Sequence, residues 1–143
     1  MELKIKKVHP DAIIPTYATS GSSGMDLHCV SDFTIEAGRL KLIPTGLIIT
    51  GLSEFKEIQI RPKSGLAAKY GITVLNTPGT IDSDYVGEIG VILYNTGNDP
   101  YSFNKGDKIA QAVVCPIYKA EFIEVSDFED TERGSGGFGS TGR

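Results

Sequence analysis

What most constrains this chain is how often it is interrupted. Short runs rich in β-branched residues are cut off by clusters of Gly, Pro, Asn and Asp, and helical periodicity is nearly absent. Leu3 to Val8 alternates with period two. So does Phe55 to Arg61, where Ile58 and Ile60 share one face and Gln59 and Arg61 the other. Gly90 to Asn95 and Ile109 to Val114 read as buried strands, with turns at 96–100 and 104–107. Many short strands at a spacing of roughly 8–12 residues imply an all-β chain folded as a jelly-roll-like β-barrel. The single helical turn expected is Ser64 to Tyr70, with Ser64 as its N-cap and Gly71 at its C-terminal end.

From about Asp127 the chain becomes polar and glycine-rich. The expected organisation is therefore one β-barrel domain over 1–126 and a flexible C-terminal arm over 127–143. Glycines lose more backbone freedom on ordering than other residues, so the stretch from Glu132 to Arg143 does not hold a helix or packed strand alone. Yet it carries arginines, hydroxyls and one phenylalanine, the groups that hold phosphate and cover a flat ring. This composition suits a lid that orders over a nucleotide.

With 143 residues and 40% hydrophobic content, the chain builds one domain with a real core. Lys and Arg total 14 against 18 Asp and Glu, a formal charge of −4. That balance argues against long nucleic acid as a partner but leaves room for a small anion held by a few focused cations. No apolar run approaches the ~18 residues of a membrane helix, so no membrane partner is expected. Met1 to Lys7 lacks a signal-peptide core. Cys29 and Cys115 have no CxxC spacing, and with His9 and His28 they make no zinc pattern. They read as buried free thiols in a reducing compartment, which implies a soluble, intracellular protein.

Four internal segments carry chemistry. In Ser23 to Leu27, Asp26 sits among apolar residues on a strand, where it caps a turn, faces solvent or serves a site. In Arg61 to Ala67, a strand ends at Pro62 and a short helix follows. Ser64, Gly65 and the flanking cations Arg61 and Lys63 suit a phosphate, although an ordinary capped turn has the same look. The GxxxxGK[ST] spacing of a P-loop is missing. In Asn76 to Ile89, Pro78-Gly79 signals a tight turn. Asp82 and Asp84 share a face if the run is extended and part if it is a hairpin tip. One of them beside a water is a candidate general base. Tyr85 is either a core residue or a flat platform for a sugar or base, and Asn76 can read an amide-like base edge. In Lys105 to Gln111, a turn precedes a strand whose Gln111 either reaches a phosphate or is an ordinary polar strand residue. His28 reads as packed or exposed rather than catalytic, and no Ser or Cys pairs with a histidine as in a triad.

These four segments and the tail, in this order, resemble the five motifs of the trimeric dUTPases. Gly24-Met25-Asp26-Leu27 looks like the first, Pro62 to Ala67 the second, Gly79 to Gly87 the third, Gly106 to Gln111 the fourth and Arg133 to Thr141 the fifth. The resemblance spans nearly the whole chain. It implies a homotrimer with shared active sites that hydrolyses dUTP to dUMP and pyrophosphate with Mg²⁺, limiting uracil in DNA and supplying dUMP for thymidylate synthesis. It also implies roles. Asp82 is the general base. Tyr85 packs under the deoxyribose, and Asn76 with the backbone of Gly79, Thr80 and Ile81 reads uracil. Lys63, Ser64, Gly65 and Gln111 contact the phosphates, while Arg133, Gly139, Ser140 and Thr141 belong to the lid that holds the γ-phosphate. Phe138 covers the base, and Asp26 orients the metal through water. One position departs from the pattern. The second motif usually has Arg before its Ser, and here Lys63 keeps the charge but loses the planar bidentate fork, with Arg61 a candidate to compensate. A dCTP deaminase-like enzyme of the same fold family is the nearest competing reading, but it would usually lack the tail motif. A non-catalytic nucleotide-binding β-barrel is the other, and it would bind without turnover.

Overall fold

The computed structural model describes residues 1–142; Arg143, the last residue of the expected arm, lies outside the described residues. Eleven strands and one helix follow in the order β1 (Lys4–Lys7), β2 (Met25–His28), β3 (Phe33–Ile35), β4 (Leu40–Pro44), β5 (Leu47–Thr50), β6 (Lys56–Arg61), α1 (Ser64–Tyr70), β7 (Ile72–Val74), β8 (Gly79–Ile81), β9 (Gly90–Asn95), β10 (Tyr101–Phe103) and β11 (Lys108–Pro116). The chain is all-β and jelly-roll-like. Its strands pair antiparallel in four small sheets, ordered β2-β11-β6-β8, β4-β9-β7, β1-β5 and β3-β10.

Alternation decides which face of each strand is buried. Ile58 and Ile60 of β6 point inward while Gln59 and Arg61 stay half-exposed; on β9, Val91, Leu93 and Asn95 take the inner positions. Strand β11 breaks the period. Its pairing with β2 shifts between Lys108 and Ala110, and this irregularity lets both Ile109 and Ala110 bury. Phe33 and Phe103 stack with ring centroids 4.7 Å apart at one end of the core, and Tyr101 meets Phe103 edge-on.

Three expectations need correction. The N-cap of α1 is Lys63, in an extended conformation and without a side-chain capping bond, rather than Ser64, which is already inside the helix. At the other end Gly71 does close the helix, at φ 69° in the left-handed region. The tight turn lies over Leu75 to Pro78, and Gly79 opens β8 instead of forming the turn. Cys29 is buried as expected, but Cys115 is only half-buried, because its place on β11 faces away from the core beside Arg61. Beyond Pro116, residues 117–142 add no strand or helix.

Two polar residues, Thr45 and Asn95, are buried with this core. Asn95 is fully buried and donates through Nδ2 to the carbonyls of Ile35 (2.9 Å) and Asp99 (2.8 Å), while its Oδ1 accepts the Gly97 N–H at 2.9 Å. Asn95→Ala leaves the buried Ile35 carbonyl unpaired and releases the turn at Gly97 and Asp99. The expected cost is about 3 kcal/mol, read as a lower denaturation midpoint in urea at an unchanged slope.

Candidate active site

The four-stranded sheet brings four of the chemistry-bearing segments together. Strand β2 carries Asp26, β6 runs into Lys63-Ser64-Gly65, β8 runs into Asp82, and β11 carries Gln111. Register aligns them further. Gln111 lies opposite Asp26 on one side and opposite Arg61 on the other, so these three residues form one row across the sheet.

The third segment builds a cleft of about 320 Å³. Its walls include Asn76, Gly79, Thr80, Ile81, Asp82 and Tyr85, with apolar surface from Ile60, Val74, Val91 and Ile92. Pairing of β8 with β6 places Gly79 against Ile60. A side chain there would crowd Ile60 and the Asn76 amide, with a Cβ only 3.3 Å and 3.2 Å away, so glycine keeps this end of the cleft narrow. Asp82 follows the last residue of β8 and accepts the Tyr85 N–H through its carbonyl at 3.2 Å, which turns the chain there. The turn parts the two carboxylates: Asp82 lines the cleft and Asp84 does not. Tyr85 is 42% exposed and offers its ring to the cleft rather than to the core.

The second and fourth segments, with Thr77 and Pro78 of the third, meet at a shallow groove lined by Gln59, Arg61, Pro62, Ser64, Thr77, Pro78 and Gln111, and the first segment packs beside it. The Gln111 amide donates to the Pro62 carbonyl at 2.9 Å, and its other end lies over Gly24, where any Cβ would collide with Oε1. Asp26, with a side chain only 13% exposed, is held at both oxygens: Lys63 Nζ at 2.5 Å and Lys108 Nζ at 2.7 Å. Arg61 does not share this role. On the same strand face as Gln59, its guanidinium donates twice to Gln59 Oε1, at 3.1 Å and 2.7 Å. The second cation beside Asp26 is therefore Lys108, a residue the sequence reading did not single out although it lies inside the fourth motif. Nearby, burial pushes the His28 imidazole down, and its Nδ1 has no hydrogen-bond partner.

Among the described residues, no three His, Cys, Asp or Glu side chains gather into a metal-binding group. With both Asp26 oxygens on lysines, the donor set fits a hard cation brought in by a phosphate chain and keeping most of its waters, not one caged by the protein.

The tail segment lies apart from both. Arg133, Gly136, Ser140 and Thr141 line a depression of their own, shaped by successive tight turns such as Gly136 N–H to Arg133 O and Ser140 N–H to Gly137 O. Gly139 takes φ 88° and leaves open space around it, and Phe138 is fully exposed at φ 52°, a conformation that costs a non-glycine residue about 1 kcal/mol. Within one protomer the expected site residues thus fall into three groups.

The dUTPase family model matches residues 10–142. The deoxyuridine 5′-triphosphate nucleotidohydrolase of Nautilia profundicola is 57% identical over 144 residues, covering all of both chains. That of Helicobacter pylori strain P12 is 51% identical over 142 residues, covering 99% of this chain and 97% of its own. Among solved structures, Staphylococcus bacteriophage 80alpha dUTPase with dUPNHPP superposes with a TM-score of 0.87 at 26% identity, covering 99% of each chain.

The Asp26 pairing has a pH signature. Burial pushes its carboxyl up, but hydrogen bonds from Lys108 and Lys63 and their charges outweigh this and hold it below its ordinary value of 3.8. Since the folded value lies below the unfolded one, the pairing stabilises the fold above about pH 4 and is lost as pH falls through the depressed value. In a carboxyl NMR titration, Asp26 should titrate below its ordinary value of 3.8. Lys63→Met and Lys108→Met should each move it upward; no movement in either would deny the ion pairs.

Proposed function

The chain belongs to the dUTPase family and is a dUTP diphosphatase, and we propose that the three groups of residues are the parts of one shared dUTP site. The observation that carries this reading is the cleft in which Asp82, Tyr85, Asn76 and the β8 backbone converge. Its narrow apolar walls suit a flat pyrimidine. Asn76 and the polar backbone of Gly79, Thr80 and Ile81 supply the donors and acceptors that a uracil edge needs. Tyr85 supplies a wall for the deoxyribose, and Asp82, exposed at the rim, supplies a base.

In the proposed mechanism Asp82 takes a proton from a water as its oxygen attacks the α-phosphorus. The bond from that phosphorus to the α–β bridging oxygen breaks, and pyrophosphate leaves. Little covalent chemistry falls to the protein, so positioning and charge stabilisation carry most of the acceleration. Lys63, Ser64, Gly65 and Gln111 are the phosphate contacts in this reading. Gln111 uses one amide N–H on Pro62 and keeps the other to donate. Mg²⁺ bound to the triphosphate would neutralise phosphate charge, and Asp26 would meet it only through water, because its oxygens already face Lys63 and Lys108.

Assembly as a homotrimer would bring the groups together. The segment after β11 supports this: Tyr118, Phe122, Ile123, Phe128 and Phe138 are all exposed in the single protomer, and such a series of uncovered apolar side chains needs a neighbouring surface. In that arrangement Arg133, Ser140 and Thr141 hold the γ-phosphate, Gly139 allows the turn, and Phe138 covers the uracil.

Pyrophosphate release from dUTP, compared with UTP, dTTP and dCTP, tests the whole reading. Asp82→Asn should bind a non-hydrolysable dUTP analogue nearly as well as wild type while kcat falls about a thousandfold; near-normal turnover would remove Asp82 as the base. A chain ending before Arg133 should keep its oligomeric mass and melting temperature but turn over poorly. Unfolding on truncation would make the arm structural instead.

A further inference from the structure

The loop that carries Asp82 and Tyr85 is fastened to the barrel through residues outside the roles described so far. The Tyr85 hydroxyl donates to the Glu88 carbonyl at 2.9 Å. The Glu88 carboxylate in turn accepts the Gly46 N–H, through Oε1 at 2.8 Å. Gly46 occupies the turn between β4 and β5 at φ 70°, and a Cβ there would sit 2.7 Å from His9 Cβ and 2.8 Å from Ala12 Cβ. Only glycine fits, and the packing fixes the direction of its N–H. The next residue is anchored as well. Ile89 N–H donates to the Leu47 carbonyl at 2.8 Å, and the fully buried Thr45 hydroxyl donates to the Ile89 carbonyl at 2.7 Å. On the other side the Tyr85 ring lies directly over Gly87, where a Cβ would stand 2.3 Å from the phenolic oxygen.

We propose that Glu88 and Gly46 are positioning residues that hold the Tyr85 ring against the sugar and thereby set the discrimination between deoxyribose and ribose. The inference rests on Tyr85 being the sugar wall. A wall rejects one extra hydroxyl only if it does not yield, and a recognition group must be held within about 0.5 Å to act in this way. The Glu88 carboxylate bond to Gly46 is charge-assisted and ties the platform to a turn whose neighbours are buried core residues. Without it, the peptide that carries the Glu88 carbonyl is held only from its Ile89 side, and the loop from Asp82 to Gly87 loses its second tie to the β4–β5 turn, so the ring gains freedom to move.

The test is kcat/KM for dUTP and for UTP, measured on the full-length enzyme with Mg²⁺, together with melting temperature. Glu88→Ala should reduce the preference for dUTP over UTP about tenfold, with KM for dUTP rising more than kcat falls. Glu88→Gln retains an oxygen that accepts the Gly46 N–H and should keep the preference within about twofold of wild type. Tyr85→Phe leaves the Gly46 contact intact but removes the hydroxyl anchor, and should lower the preference in the same direction; it remains informative if Glu88→Ala does not fold. A purely structural role would lower the melting temperature and leave the preference unchanged. Preferences within about twofold of wild type in both Glu88→Ala and Tyr85→Phe would overturn the proposal. A wild-type enzyme that does not prefer dUTP over UTP would instead overturn the underlying reading of Tyr85.

Discussion

The register of β11 between β2 and β6 is the constraint on which the rest of the structure depends. It places Gln111 opposite both Asp26 and Arg61, residues distant in sequence, and brings the end of β6 beside the start of β11. A slip of one residue would turn Gln111 inward and push Ala112 out of the core, exchanging the polar row for the apolar one. Because β6 also pairs with β8, the same ladder determines where Asp82 leaves the sheet. The groove is therefore built on one sheet, while the cleft lies between that sheet's β8 edge and strands β7 and β9 of another; the buried residues Leu27, Ile58 and Ala112 hold the ladder from within.

Charge follows the same plan. The chain is acidic overall, yet two of its lysines converge on one carboxylate. Asp26 stands between Lys63 and Lys108, so two cations share one counterion and keep net positive charge on that part of the sheet. The departure in the second motif sits in this setting. Lys63 lacks an arginine fork; Arg61 holds Gln59 and lines the groove with Ser64 and Gln111, and Lys108 of β11 adds a further charge beside Asp26. A lysine in this setting is a point charge directed by Asp26 rather than a bidentate clamp.

How much was legible in the sequence depended on how long each element was and whether its function was local. The six-residue strand β6 alternates for long enough to be read, β9 shows as an apolar run although only every second residue of it is buried, and the turn after β9 carries its own signal in Gly97 and Asn98. Three-residue strands such as β3 and β10 do not; they exist because Phe33 and Phe103 stack across them, a contact between residues seventy positions apart in the chain. Ser64 looked like a cap because serine suits that position, but the helix begins one residue earlier, where the backbone of Lys63 leaves the sheet. Glu88 and Gly46 carried no motif at all. One ends a recognisable segment, the other sits in a turn, and only folding puts them 2.8 Å apart.

The sequence by itself determined the all-β class, the single-domain size, the positions of the five segments and the chemical types they offer, because composition, alternation and turn residues are local properties. Tertiary structure decided which of those groups meet. It separated Asp82 from Asp84, set Lys63 and Lys108 on Asp26, and turned Tyr85 outward over Gly87. It also left apolar side chains after β11, such as Phe122 and Phe128, uncovered. These outcomes rest on strand register and on packing between distant residues, and a linear pattern of residue types contains neither.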